Sequence, residues 1–75
     1  MTLAELNKGE RAIIEDIVTD SVPLKLIEMG CLPGNPIELV QLAPFNDPMY
    51  LNVNGAHLAI RRETAHKIYI KKLAS

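Results

Sequence analysis

The stretch Lys25-Leu26-Ile27-Glu28-Met29-Gly30-Cys31-Leu32-Pro33-Gly34-Asn35-Pro36-Ile37 decides how this chain folds. Its amphipathic first half meets Gly30, where a helix needs a residue in the left-handed conformation to end. In such a Schellman ending Leu26 is the C3 residue, and Cys31 is the C″ residue that packs back on it. Pro33-Gly34 suits the two central positions of a type II turn. The stretch therefore predicts a short helix that leads into a strand through two successive reversals.

The predicted helix starts a few residues earlier. Asp20 or Ser21 supplies an N-cap, and Pro23 falls in the first turn, where its missing N–H does no harm. A helix of about two turns is unstable in isolation, so packing on the rest of the domain must hold it. Its apolar side chains are those of Val22, Leu24, Leu26, Ile27 and Met29.

The remainder of the chain is typical of short strands joined by tight turns. Residues 10–18, 36–43, 49–53, 56–61 and 67–71 are rich in β-branched and alternating apolar positions. Alternation in the first run is imperfect, which a bulge, a bend or burial on both faces would explain. Asn54-Gly55 predicts a type I′ hairpin turn. Thr2-Leu3-Ala4-Glu5 fits a capping box and predicts one helical turn, and residues 62–66 predict another.

Composition limits what the domain can do. Seventy-five residues with 48% apolar content make a single domain, residues 1–75, with one small core and no room for a large ligand cavity. Mainly β structure in so short a chain predicts a small closed barrel, because closure removes exposed strand edges. A net charge of −1 argues against nucleic-acid binding, although basic residues gather toward the C-terminal end. One cysteine and no signal peptide or apolar span indicate a cytoplasmic protein that is not inserted in a membrane.

The sequence contains no pattern typical of an enzyme. A glycine-rich phosphate loop, a nucleophile elbow and a zinc-protease motif are all missing from it. His57, His66 and Cys31 could form a metal site only if folding brought them together. Asp47 is expected to hydrogen-bond its own loop. Phe45, in the same loop, could be an exposed contact residue or could fold over the end of the barrel.

Four segments together resemble the ferrous iron transport protein A (FeoA) family. They are Leu26 to Gly34, Val40 to Pro44, Asn46-Asp47-Pro48 and Leu58 to Ala65, and the resemblance covers essentially the whole chain. The family pattern has a helix ending in glycine, a Pro-Gly turn, an Ala-Pro-x-Gly-Asp-Pro loop and an Ala-Leu-Arg strand before a short helical turn. Asn46 stands where that loop usually has glycine, and asparagine tolerates a positive φ better than most residues. Cys31 replaces the usual leucine or methionine and still serves as a small apolar contact.

The resemblance implies an SH3-like barrel of five or six strands in the bacterial cytoplasm, with no enzymatic activity and no cofactor. It also implies a partner, the ferrous iron permease (transport protein B), which carries a cytoplasmic GTPase region. The alternatives are a general SH3-like interaction domain related to the C-terminal domain of metal-dependent repressors, or a direct metal-binding protein. Edge-strand pairing or a protruding loop could also support weak self-association.

Two groups of residues are the candidate partner contacts. The first lies where the helix meets the barrel, and the second is the loop around Phe45 with the arginine pair that precedes the last strand. Arg61 or Arg62 could alternatively act on the GTPase of the partner like an arginine finger. The full set is Leu24, Ile27, Met29, Leu32, Phe45, Asp47, Arg61 and Arg62.

Overall fold

The computed structural model describes residues 1–73 and contains one antiparallel five-stranded sheet. The strands are β1 (Arg11–Ile17), β2 (Pro36–Leu42), β3 (Met49–Val53), β4 (Ala56–Ile60) and β5 (Ile68–Lys72). Two short α-helices, α1 (Leu24–Glu28) and α2 (Arg62–Ala65), and 3₁₀ turns at Leu3–Glu5 and Pro44–Asn46 complete the fold. The mainly β architecture predicted from the sequence is confirmed.

The order of the strands is β4-β3-β2-β1-β5, so β4 and β5 lie at the two edges. Within residues 1–73 no hydrogen-bonded ladder joins these two edges, so strand pairing does not close the barrel between β4 and β5. The first two residues of the chain cover the β5 edge: the N–H of Ile70 donates to the carbonyl of Met1 at 2.9 Å, and Thr2 forms a β-bridge with Tyr69. One edge is thus protected by the start of the chain.

Strands β1 and β2 each contain a register shift. In β1 the shift falls between Ile14 and Asp16, and both Ile14 and Ile17 are buried although three positions separate them. A bulge, one of the three explanations left open by the sequence, accounts for the imperfect alternation. In β2 the shift lies between Leu39 and Gln41 and leaves the side chain of Val40 exposed.

The predicted joint between α1 and β2 is confirmed. Gly30 has φ +109°, its N–H donates to the carbonyl of Ile27 at 3.1 Å, and the N–H of Cys31 donates to that of Leu26 at 3.0 Å. These are the two hydrogen bonds of a Schellman ending. Gly34 has φ +94°, and the turn that contains it is closed by the N–H of Asn35. Asn54 and Gly55 also have positive φ, as a type I′ turn requires.

Both predicted N-terminal caps are wrong. Helix α1 begins at Leu24, not after Asp20 or Ser21, because Pro23 is extended, with ψ 137°. A proline also disfavours helical backbone in the residue before it, so the helix cannot extend toward Val22. The hydroxyl of Thr2 makes no capping hydrogen bond, although its carbonyl closes the first turn.

One apolar core joins the sheet to the short helical turns. Leu3 and Leu6, in and just after the N-terminal turn, belong to this core. Val22, just before α1, and Cys31, just after it, belong to it as well. The sheet contributes the remainder apart from Ala65 of α2: Ala12, Ile14, Ile17, Ile37, Leu39, Met49, Leu51, Val53, Leu58, Ile60, Ile68 and Ile70.

Candidate functional site

The loop between β2 and β3 presents a large aromatic side chain to solvent. Phe45 is 100% exposed, which decides between the two orientations that the sequence left open. Its backbone has φ +64° and ψ 18°, and Asn46 follows with φ +63°. A left-handed conformation costs a residue with a Cβ about 1–2 kcal/mol. The fold therefore holds an apolar side chain outward at an energetic cost that solvent contact does not repay.

Hydrogen bonds within the loop fix its shape. The N–H of Ala43 donates to the carbonyl of Pro48 at 3.1 Å, which closes the base of the loop. The N–H of Asn46 donates to the carbonyl of Ala43 at 2.8 Å, and the Asp47-Pro48 peptide bond is cis. We call residues 43–48 the Phe45 loop.

Arg62 ties this loop to two other parts of the chain. Its Nε donates to the carbonyl of Asn46 at 2.6 Å, and its Nη1 donates to the carbonyl of Ala4 at 2.8 Å. Its backbone N–H donates to Oδ1 of Asp47 at 3.1 Å. Asp47 therefore binds the first residue of α2, and not its own loop as we expected.

The two arginines have different surroundings. Arg62 is half-buried and its guanidinium donates to two backbone carbonyls, so action as an arginine finger would require it to release both hydrogen bonds. Arg61 is exposed and precedes α2. The anchoring role of Arg62 was missed, because adjacent arginines at a strand end look alike in sequence and the carbonyl partners belong to distant segments.

A second exposed apolar group lies on and after α1. We call Leu24, Met29 and Leu32 the helix patch; Leu24 is the most exposed of them, at 67%. Ile27, which we had predicted to be a contact residue, is half-buried and packs against the core.

The structure does not place the helix patch beside the Phe45 loop. A Cβ added to Gly30, at the end of α1, would lie 3.8 Å from Cβ of Asn54, just after the last residue of β3. The Phe45 loop precedes the first residue of β3. The two surfaces are thus associated with opposite ends of a strand that spans about 13 Å, at about 3.3 Å per residue.

The candidate metal ligands are also not assembled. Cys31 lies in the core, where desolvation raises the pKa of its thiol to about 11, and the thiol stays protonated at neutral pH. His57 and His66 are exposed, on β4 and just after α2. Residues 1–73 contain no group of three or more His, Cys, Asp or Glu side chains suited to a metal ion.

One ion pair connects the start of β1 with the end of β5. Lys72 pairs with Glu10, and this hydrogen bond, together with one from the N–H of Asn7, lowers the pKa of the Glu10 carboxyl. Both side chains are at the surface, so the pair adds little to stability. Among the described residues, no helix has the length and apolar character needed to cross a membrane.

The architecture of this chain, a small antiparallel five-stranded fold with short helical turns between its strands, is that of SH3-like domains. The FeoA domain family matches residues 1–72 of the sequence. The chain therefore belongs to the FeoA domain family, a family of small accessory domains linked to ferrous iron transport.

A curated relative supports the same assignment. The chain is 37% identical over 76 residues to the Fe(2+) transport protein A/Fe(2+) transporter FeoB fusion protein of Porphyromonas gingivalis. The match covers 100% of this chain but only 9% of that protein. The chain thus corresponds to a small part of a much longer relative.

Solved structures confirm the fold. The FeoA protein of Chlorobium tepidum is 31% identical, with a TM-score of 0.88, over 99% of this chain and 71% of that one. FeoA of Stenotrophomonas maltophilia, solved with zinc and described as a prokaryotic SH3 domain protein, is 25% identical with a TM-score of 0.80, over 95% and 89% of the two chains. The SH3-like class and the FeoA resemblance predicted from the sequence are both confirmed.

The likeness to metal-dependent repressors concerns the fold alone. IdeR of T. acidophilum superposes with a TM-score of 0.81 at 24% identity, over 96% of this chain and 33% of the repressor. The relation to a domain of such repressors that the sequence predicted therefore holds for the fold.

Proposed function

We propose that this domain binds the cytoplasmic GTPase-containing region of a ferrous iron permease and supports ferrous iron uptake. The observation that carries the proposal is the Porphyromonas gingivalis fusion, in which a segment similar to the whole of this chain belongs to one protein with the FeoB transporter. Fusion keeps two domains at high effective concentration, an arrangement that favours their association. Binding to that region would place the domain in the cytoplasm.

The Phe45 loop is the surface proposed to make the contact. Aromatic side chains that enter a pocket of the partner are typical binding hot spots. Phe45 is already held outward by the fixed loop, so docking would cost little additional ordering of the backbone. Burying its ring would recover about 1.5–3 kcal/mol that the free domain forgoes. Arg61 lies on a neighbouring exposed segment and would form part of the polar rim.

A binding titration with the purified cytoplasmic region of the permease tests this proposal. The unmodified chain is expected to bind, and Phe45→Ala is expected to weaken binding at least about tenfold, as loss of a hot spot does. Tyr69→Ala is the matched control, because Tyr69 is an exposed aromatic residue on a different element, the edge strand β5. Equal affinities for the two variants would reject the Phe45 loop as the contact, and no binding in any nucleotide state would reject the partner.

The helix patch is a second arm of the same experiment. Leu24→Ala and Leu32→Ala remove exposed apolar side chains and leave the core unchanged. If these variants lose binding while Phe45→Ala retains it, the permease contact is at the α1 end of β3.

A further inference from the structure

Strand β4 is an edge strand without the features that usually protect such edges. Its five residues pair with β3 in one unbroken register, from Met49↔Ile60 to Val53↔Ala56, so no bulge bends it away. It contains no proline and no lysine, arginine or carboxylate. The opposite edge, β5, carries Lys71 and Lys72 and is paired with the first residues of the chain. Natural sheets usually block exposed edges with charge, proline or a covering segment.

The hairpin determines which backbone groups of β4 point toward solvent. A two-residue type I′ turn makes its flanking residues, Val53 and Ala56, a hydrogen-bonded pair. Hydrogen-bonded pairs alternate along an antiparallel ladder, so Leu58 and Ile60 also bond to β3. The N–H and C=O groups of His57 and Ala59 consequently point toward the open edge.

We infer that the β4 edge pairs with the β4 edge of a second copy of this chain, antiparallel and about a two-fold axis at Leu58. In this register His57 faces Ala59 of the second copy, and these two residues exchange both of their backbone hydrogen bonds. The two-fold axis repeats the pair, which gives four hydrogen bonds in all. The outward-pointing groups thus meet outward-pointing groups, as an isologous interface requires.

The sizes of the outward side chains favour this register over its neighbours. If the two-fold axis lay at His57 instead of Leu58, the two His57 side chains would be opposite each other. If the axis lay at Ala59, His57 would be opposite Arg61 of the second copy. Either shift would set two large polar side chains directly across the strand pair, whereas in the register centred on Leu58 the imidazole faces only a methyl group.

Both faces of the paired strands would be compatible with burial. On the inner face Leu58, 8% exposed, would meet its own copy, with Ala56 opposite Ile60 at either side. On the outer face a shallow groove of about 320 Å³ beside β4 is lined by exposed Val40, Tyr50, His57 and Ala59. A contact of one five-residue strand is small, so the dimer is weak and concentration-dependent.

Sedimentation equilibrium of the purified chain between roughly 10 μM and 1 mM tests the inference. We expect a monomer–dimer equilibrium that Ala59→Pro abolishes, because proline removes an N–H that points toward the second copy and costs no bond to β3. Ala59→Ser is the matched control, since it keeps the N–H and nearly the same size, and it should still dimerise. A chain that stays monomeric throughout, or a dimer unaffected by Ala59→Pro, would overturn the inference.

Cross-linking tests the register even if the proline variant misfolds. Hydrogen-bonded antiparallel pairs place their Cα atoms about 5.5 Å apart, which suits a disulfide. His57→Cys mixed with Ala59→Cys should therefore give an oxidised heterodimer faster than either variant alone. The native Cys31 is buried and does not compete. Equal rates for mixed and separate samples would contradict the two-fold register at Leu58. Self-association at this edge does not depend on permease binding.

Discussion

At the scale of single residues, Phe45 combines two unfavourable features. Its ring is fully exposed and its backbone is left-handed, so stability alone gives no reason for a phenylalanine at this position. The proposed role as a contact residue would give such a reason. A residue selected for binding can cost stability in the free protein.

Phe45→Gly separates these two roles. Glycine removes about 1–2 kcal/mol of left-handed strain, which stabilises the folded state. It also increases the entropy of the unfolded chain, which destabilises the folded state by about 0.5–1 kcal/mol. We expect the free energy of unfolding, measured in urea, to be unchanged or slightly higher, while affinity for the permease region falls. A loss of stability above about 1 kcal/mol would show that the ring packs on the domain.

Cys31 gives the domain a defined weakness at alkaline pH. Burial raises the pKa of its thiol from 9.0 to about 11, so above pH 9 the unfolded chain releases a proton that the folded chain retains. The free energy of unfolding is therefore expected to fall between pH 9 and pH 11, by at most about 1.4 kcal/mol per pH unit. Cys31→Ala should lack this component. Parallel pH profiles for the two proteins would contradict the assignment.

At the scale of elements, Arg62 connects the Phe45 loop, α2 and the first 3₁₀ turn. We expect Arg62→Ala to destabilise the fold by about 1–2 kcal/mol, because two backbone carbonyls lose a charged donor. Arg62→Lys should restore little, since an ammonium group cannot reproduce the two donor directions of guanidinium. The measurement is urea denaturation of each variant.

The neighbouring arginine is the control for this prediction. Arg61 is exposed, and Arg61→Ala should change stability by less than about 0.5 kcal/mol. Equal effects of the two substitutions would show that Arg62 does not anchor the loop.

Much of the element structure could be predicted because it depends on local backbone chemistry. Gly30, the Pro33-Gly34 turn and Asn54-Gly55 each require conformations that few other residues adopt. The start of α1 was misplaced because the exclusion of helix before Pro23 outweighed the capping preference of Asp20 and Ser21. The capping box at Thr2 was wrong in its side chain only: the backbone of Thr2 is extended, as at an N-cap, and its carbonyl closes the first turn, but its hydroxyl makes no capping hydrogen bond.

The candidate site was harder to predict than the fold. Its residues could be named from the loop motif, but their roles depend on contacts between segments distant in sequence. Arg62 reaches Ala4 across 58 positions, and no local pattern reveals such a contact. The separation of the helix patch from the Phe45 loop likewise follows from the path of β3, which a sequence pattern does not specify.

At the scale of the whole molecule, residues 1–73 present three surfaces that we consider for partners: the Phe45 loop, the helix patch and the β4 edge. They differ in chemistry, since the first two offer apolar side chains and the third offers backbone hydrogen bonds. A domain with separate surfaces could bind a permease and a second copy of itself simultaneously. Of the three, we propose the Phe45 loop as the surface that binds the permease.

Photo-cross-linking from position 45 tests that assignment most directly. Phe45 is replaced by a photoreactive phenylalanine analogue, and the chain is irradiated with the cytoplasmic region of the permease; the same analogue at Tyr69 serves as the control. We expect a covalent adduct from position 45 and none from position 69. Adducts of equal yield from both positions, or none from position 45 under conditions in which the two proteins bind, would contradict the account.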